Sequence, residues 1–157
     1  MIRRLTILSF SVLLSANAHA DASFIALRDS KSGVERAVTC LPLFHKFRAI
    51  TELALSADVR SQKLPEDIRK ASNSFYQNAY RYFFVKFLMQ ERSLEALFED
   101  AYNVSGGASL QSRDVVSPCY SLVNELLEDA TFASQKESAS IAARKQAEEI
   151  VADAIVR

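Results

Sequence analysis

The sequence predicts an all-α protein, a bundle of four or five helices cross-linked by one disulfide bond between Cys40 and Cys119. Glycine and proline together make up about 4% of the 157 residues, against roughly 12% in ordinary proteins, and sheet-rich domains need frequent turns built from them. Apolar residues recur at helical spacing along most of the chain after residue 33. Each of the two cysteines lies within such a helical pattern.

Residues 1–20 have the three regions of a secretory signal peptide. Two arginines follow the first two residues, residues 5–14 carry no charge, and small residues lead to an A-x-A pattern that ends at Ala20. We therefore expect cleavage between Ala20 and Asp21. The uncharged stretch is about half as long as a transmembrane helix needs, so no stable membrane anchor is expected.

The processed chain, residues 21–157, is expected to be a single helical domain of an exported protein, and the bacterial periplasm fits it best. Exported proteins fold in an oxidising compartment, where two cysteines without a competing third thiol tend to form a disulfide. Cys40 and Cys119 meet this condition. The alternative is a pair of free, buried thiols.

The first part of the processed chain contains one long predicted helix. Residues 21–32 fit either a short helix or a docked extended arm, and Ser32-Gly33 interrupts the pattern. Helical spacing of apolar residues then runs from about 34 to 59. Pro42 falls inside this range, and its missing N–H and its ring are expected to kink or restart the helix.

The middle of the chain begins with a clear helix start at Leu64-Pro65, where proline takes the first helical position and two acids follow. Helical spacing continues through residues 65–104. This range fits one long helix or two helices with a break near 90–93. Gly106-Gly107 ends the pattern, and a surface loop follows.

Two helices are expected in the last part of the chain. Ser117-Pro118 combines an N-cap hydroxyl with a proline suited to the first helical position, which predicts a helix over 117–132. The polar, serine-rich residues 134–140 fit a loop or a weakened helix. A final amphipathic helix is expected over 141–156.

The helix segment 75–87 is unusually aromatic, with seven aromatic side chains among its thirteen residues. A helix that is apolar nearly all round is typical of the centre of a bundle or of an interface. The plainer interpretation is core packing, with tyrosine hydroxyls at its edge. The alternative is a binding face formed by four residues that share one helix side: Tyr76, Tyr80, Phe83 and Phe87.

Three acidic residues, Glu91, Glu95 and Glu99, follow at every fourth position. In one continuous helix they would share a face and repel one another by a few tenths of a kcal/mol per pair. The plainer interpretation is a solvated surface. The alternative is an acidic binding surface for a basic partner. These three acids and the four aromatic residues above are the candidate binding residues.

The composition excludes several function classes. Without the signal the chain is slightly acidic, which gives no reason to expect nucleic-acid binding. His45 is its only histidine, and cysteines bonded to each other cannot act as nucleophiles. The side chains that most often serve as catalytic nucleophile and base are therefore scarce. His45 itself is expected to be a packed or half-exposed side chain. We expect no catalytic residue, no metal site and no cofactor.

The function that remains is binding. We expect a non-catalytic exported protein that binds a protein partner, such as an inhibitor, immunity or assembly factor. The alternative is a protein that binds a small hydrophobic ligand or a lipid through the aromatic helix 75–87.

Overall fold

In the computed structural model, which describes residues 18–156, all regular secondary structure is helical. Most of the predicted signal peptide therefore lies outside the described residues, and cleavage between Ala20 and Asp21 stays a prediction. The described residues form six α-helices and one 3-10 turn: α1 (18–29), α2 (Gly33–Arg60), α3 (Pro65–Glu91), α4 (Glu95–Ser105), α5 (Arg113–Glu128), the 3-10 turn (Ala130–Phe132) and α6 (Ala133–Val156).

The predicted helical bundle is confirmed, and it contains two apolar cores. The three longest helices, α2, α3 and α6, contribute to both of them. In the large core, the shorter helices α1, α4 and α5 pack around the first half of α2 and the second half of α3. In the small core, the second half of α2 meets the first half of α3 and α6. One end of the bundle is therefore more fully enclosed than the other.

The predicted disulfide between Cys40 and Cys119 is also confirmed, and it joins α2 to α5 with Cα atoms 5.6 Å apart. Both cysteines are buried in the large core. Around Cys40, all eight residues from 37 to 44 are buried, so this part of α2 is enclosed on every side. Pro42 lies within it, and α2 runs through this proline as one helix instead of restarting.

The uncertain segment 21–32 is mainly helical, because α1 continues to residue 29. Phe24 and Arg28, one turn apart on α1, are both buried against the rest of the bundle. The carboxylate of Asp21, the residue after the predicted cleavage point, accepts a hydrogen bond from the backbone N–H of Ser109 at 2.7 Å. The segment after the predicted signal peptide is thus an integral part of the fold.

The predicted helix start at Ser117-Pro118 is wrong, because α5 begins four residues earlier, at Arg113. Pro118 consequently lies inside the helix. It has no N–H to donate to the carbonyl of Asp114, four residues before it. A proline in this position requires another donor for that carbonyl.

Arg28 supplies the missing donor from α1. Its guanidinium Nη1 donates to the carbonyl oxygens of Asp114 at 2.8 Å and Val115 at 3.0 Å. Arg28 is only 3% exposed, so water cannot readily replace these hydrogen bonds, and losing them would cost free energy of folding. Pro118 therefore leaves a carbonyl of α5 without a helical donor, and the buried guanidinium of Arg28 on α1 donates to that carbonyl.

The range 65–104 forms two helices, separated by Arg92–Leu94. Ser93 adopts a left-handed backbone conformation with φ of 54°. Its N–H donates to the carbonyl of Gln90, and the N–H of Leu94 donates to the carbonyl of Met89. This pair of hydrogen bonds is a Schellman motif, which ends a helix at a left-handed residue, usually a glycine.

Residues 134–140 are helical and not a loop, and the last helix starts earlier than the predicted residue 141, because α6 is continuous from Ala133. The 3-10 turn before it starts at Asp129, whose carboxylate accepts from the N–H of Thr131 at 2.8 Å. The apolar spacing of the last helix includes Ile141, Ala147 and Ile150, and of these Ile141 is 61% exposed while the other two are buried. The buried side of α6 also includes Ala139 and Ala143.

The pairing of Arg28 with Pro118 predicts a measurable coupling. Arg28→Met leaves the carbonyl of Asp114 without a donor and removes the second hydrogen bond to Val115, so it should lower the free energy of unfolding by about 1–3 kcal/mol. In a Pro118→Ala background the backbone N–H is restored, so the same substitution should cost clearly less. Denaturant unfolding of the four proteins in this double-mutant cycle measures the difference. An equal cost of Arg28→Met in both backgrounds would contradict the pairing.

Candidate functional site

The four aromatic candidates, Tyr76, Tyr80, Phe83 and Phe87, form a continuous stripe of half-buried rings on α3. The rings of Tyr76 and Tyr80 stack with centroids 5.9 Å apart, and those of Phe83 and Phe87 stack at 6.3 Å. The hydroxyl of Tyr76 lies 3.0 Å from that of Ser140 on α6.

This aromatic stripe contributes to the packing of α3 against α6. Its rings contact the two cores, and α6 presents small buried residues such as Ala143 and Ala147 to the small core. Small side chains on one helix leave room for large rings on its neighbour. The segment 75–87 is therefore not buried on all sides; the segment with that property is 37–44 on α2.

Two shallow grooves border the stripe at the α3–α6 seam. One has a volume of about 340 Å³ and includes Tyr76 with polar residues of both helices. The other, of about 270 Å³, includes Phe87 beside Glu91 and Gln135. Each groove contains one ring of the stripe, whereas a site for a hydrophobic ligand is lined mainly by apolar side chains.

The three acidic candidates do not share one helix face, which corrects the expectation from their spacing. Glu91 is the last residue of α3, and Glu95 is the first residue of α4. Glu91 accepts a hydrogen bond from the side-chain amide of Gln135 on α6 at 2.6 Å. Glu95 and Glu99 are exposed on α4. The Schellman turn at Ser93 separates the acids into these two locations.

A cluster that the sequence analysis did not identify surrounds the ring of Tyr82. The Cζ atom of Arg48 lies 4.8 Å from the ring centroid, the Nζ atom of Lys86 lies 5.8 Å from it, and the His45 ring centroid lies 5.6 Å from it. We call His45, Arg48, Tyr82 and Lys86 the Tyr82 cluster. Spacing places each pair on one helix face, but only the tertiary contact of α2 with α3 brings the two pairs together.

The Tyr82 cluster is electrostatically positive. Arg48 lies 3.5 Å from the carboxylate of Glu52, a distance at the outer limit of a hydrogen bond. The Arg48 side chain is mostly buried, and its Nε is a buried donor without a hydrogen-bond partner. Burial lowers the pKa of His45, and the charges of Arg48 and Lys86 lower it further, against an opposing effect of Glu52.

A second feature that the structure reveals is an exposed apolar face on the second half of α2. Ile50 is 53% exposed and Leu53 is 69% exposed, and Ala54 and Ala57 beside them are exposed as well. Ile50, Leu53 and Ala54 belong to the helical spacing of apolar residues over 34–59, which by itself favours burial. We call Ile50, Leu53, Ala54 and Ala57 the α2 exposed face.

The reason for this difference is the uneven enclosure of α2. Its first half is surrounded by helices, so apolar residues on every side are buried there. Its second half contributes Leu55 and Val59 to the small core, on the side that meets α3 and α6. The opposite side continues the apolar pattern. In the described chain α4 contacts α2 at Lys46 through Ser105, whereas Ile50 and Leu53 further along α2 are exposed.

Among residues 18–156, no group of three or more His, Cys, Asp or Glu side chains is placed to hold a metal ion. In that range no helix combines the length and the apolar character that a membrane span requires.

Comparison of the chain with protein-family models, with curated protein sequences and with solved structures finds no significant match in any of the three.

The environment of His45 predicts a pH dependence of stability. Its pKa is lowered in the folded protein, so the unfolded chain binds the proton more readily as the pH falls below about 6.5. The folded state should therefore lose stability on acidification. Between about pH 7.5 and about pH 5, wild type should lose more free energy of unfolding than His45→Gln, which removes this titration. Urea unfolding at several pH values tests this, and parallel profiles of the two proteins would contradict it.

Proposed function

We propose that this protein is a non-catalytic exported protein that binds another protein through the α2 exposed face. The observation that carries the proposal is the exposure of Ile50 and Leu53 on one side of the same helix. Contiguous exposed apolar side chains are typical of interaction sites, because leaving them in water forgoes the free energy of burial.

The spacing of this face favours a helix as the partner element. Positions 50, 53, 54 and 57 follow the i, i+3, i+4, i+7 pattern by which two helices contact each other. Ala54 and Ala57 are small enough to allow close approach, while Ile50 and Leu53 provide the larger apolar contacts. The partner that fits this chemistry is a protein with an amphipathic helix.

The export part of the proposal is supported by two features. One is the signal-like sequence of residues 1–20, with its expected cleavage after Ala20. The other is the disulfide between Cys40 and Cys119, a bond typical of oxidising compartments such as the bacterial periplasm. An inhibitor, immunity factor or assembly factor fits this location and the proposed binding face.

The alternative, binding of a small hydrophobic ligand or lipid through helix 75–87, is less well supported. The rings of Tyr76, Tyr80, Phe83 and Phe87 take part in the α3–α6 seam, and the grooves beside them are shallow and partly polar. The α2 exposed face has no such competing role in the fold.

Site-specific photocrosslinking in the native host tests the protein-binding proposal. A photoreactive residue at position 53 should yield a discrete crosslinked protein, since it lies in the proposed contact. Position 141 is the matched control, because Ile141 is similarly exposed and apolar but lies on α6. It should give no such product.

A substitution completes the test. Leu53→Asp places a charge in the proposed contact and should abolish crosslinking from position 50 without changing the thermal midpoint, because Leu53 is exposed in the fold. Ile141→Asp should leave crosslinking from position 50 intact. The absence of a discrete product at positions 50 and 53, or equal loss with both substitutions, would count against the proposal.

A further inference from the structure

The Tyr82 cluster brings two positive charges together in the described structure. Arg48 from α2 and Lys86 from α3 both lie within 6 Å of the same ring centroid. The quadrupole of a tyrosine ring attracts a cation near its face, and this attraction contributes a modest favourable free energy. Tyr82 thus brings two cations from different helices into one place.

These cations are poorly neutralised by the protein itself. Within residues 18–156, the one carboxylate at salt-bridge distance from Arg48 belongs to Glu52, at 3.5 Å. Among the side chains described, no carboxylate lies within 4 Å of Lys86 Nζ. Two adjacent cations that share one distant carboxylate leave a net positive potential, and partial burial screens it less than open solvent would.

Arg48 also has an unused donor. Its Nε is buried and has no hydrogen-bond partner within the described chain. Buried N–H groups are nearly always paired, so the hydrogen-bonding capacity of this guanidinium is incompletely used within the described chain. A guanidinium presents its donors in a planar fork that matches carboxylate and phosphate oxygens.

His45 adds a donor of a different kind. Its ring lies 5.6 Å from the Tyr82 ring, beside the two cations. The lowered pKa of His45 reflects burial and the charges of Arg48 and Lys86. A neutral imidazole still has one N–H to donate, and a nearby anion would favour its protonated form.

We propose that the Tyr82 cluster binds a small oxyanion, held by Arg48, Lys86 and His45. This site is independent of the proposed protein contact, because His45 and Arg48 lie on roughly the opposite side of α2 from the exposed face. The ligand chemistry is a carboxylate or a phosphate, both of which offer the oxygens that a guanidinium and an ammonium group recognise.

The imidazole of His45 is the probe for this site. Its pKa is measured by NMR titration of the wild-type protein in sodium chloride, inorganic phosphate and sodium acetate at matched ionic strength, and His45→Gln assigns its signal. A bound oxyanion should raise the pKa of His45 above its value in chloride, with saturation as the anion concentration increases. Saturation with phosphate alone, or with acetate as well, identifies which oxyanion the site accepts.

A charge-removal variant makes the assignment specific. Lys86→Met should weaken the anion effect by about tenfold, as expected for the loss of one charge-assisted contact. Lys70→Met is the matched control, since Lys70 is an exposed lysine on the same helix whose cation pairs with Glu66 at 3.0 Å. It should leave the effect unchanged.

The wild-type titration is decisive even if a variant fails to fold. If the pKa of His45 is the same in chloride, phosphate and acetate, the proposed oxyanion site does not exist. Equal weakening by Lys86→Met and Lys70→Met would also overturn it, because the effect would then be one of general charge. Failure of this experiment leaves the crosslinking test of the α2 exposed face unaffected.

Discussion

The disulfide between Cys40 and Cys119 is the constraint on which the arrangement of this bundle depends. It attaches α5 to the segment of α2 that is buried on all sides. Closing a loop of 79 residues restricts the unfolded chain by about 4–5 kcal/mol in the chain-entropy model. Each cysteine of the bond has a proline close to it in the sequence: Pro42 is two residues after Cys40, and Pro118 directly precedes Cys119. The covalent link thus joins two helices that each lack a backbone N–H near the contact, and Arg28 supplies the replacement on α5.

The unequal ends of the bundle follow from this construction. At the cross-linked end, α1, α4 and α5 enclose α2, and the large core contains most of the buried side chains. At the other end, the small core consists of residues from α2, α3 and α6. The same apolar helix is therefore covered along its first half and exposed at Ile50 and Leu53. The proposed protein contact is the uncovered continuation of a face that is internal elsewhere.

The helical fold class, the disulfide and the bounds of α2 were predictable from the sequence, because apolar spacing over a long segment and a lone cysteine pair are strong signals. The helix end at Ser93 was harder to predict, and the sequence left open whether 65–104 forms one helix or two. Ser93 has a positive φ in a Schellman turn without glycine, so the usual sequence signal is missing. Pro118 gave a wrong prediction for a different reason. Proline favours the first turn of a helix, but here it lies inside α5, where Arg28 provides the donor that the proline lacks.

The candidate site was less predictable for a similar reason. The four aromatic residues of helix 75–87 do lie together, but apolar spacing alone does not distinguish a helix seam from a binding face. The acids at positions 91, 95 and 99 share a face only in one continuous helix, and the turn at Ser93 divides them between α3 and α4. The Tyr82 cluster depends on the contact of His45 and Arg48 with another helix, and such pairing is decided by packing across the whole bundle rather than by local pattern.

Hydrogen exchange of the oxidised and the reduced protein tests the central role of the disulfide most directly. If the bond holds α5 to the buried segment of α2, reduction should remove protection first from the amides of α1 and α5. The amides of α3 and α6 around the small core should retain theirs longer, because that core does not include either cysteine. Unchanged protection of α5 after reduction, or a uniform loss along all helices, would contradict this account.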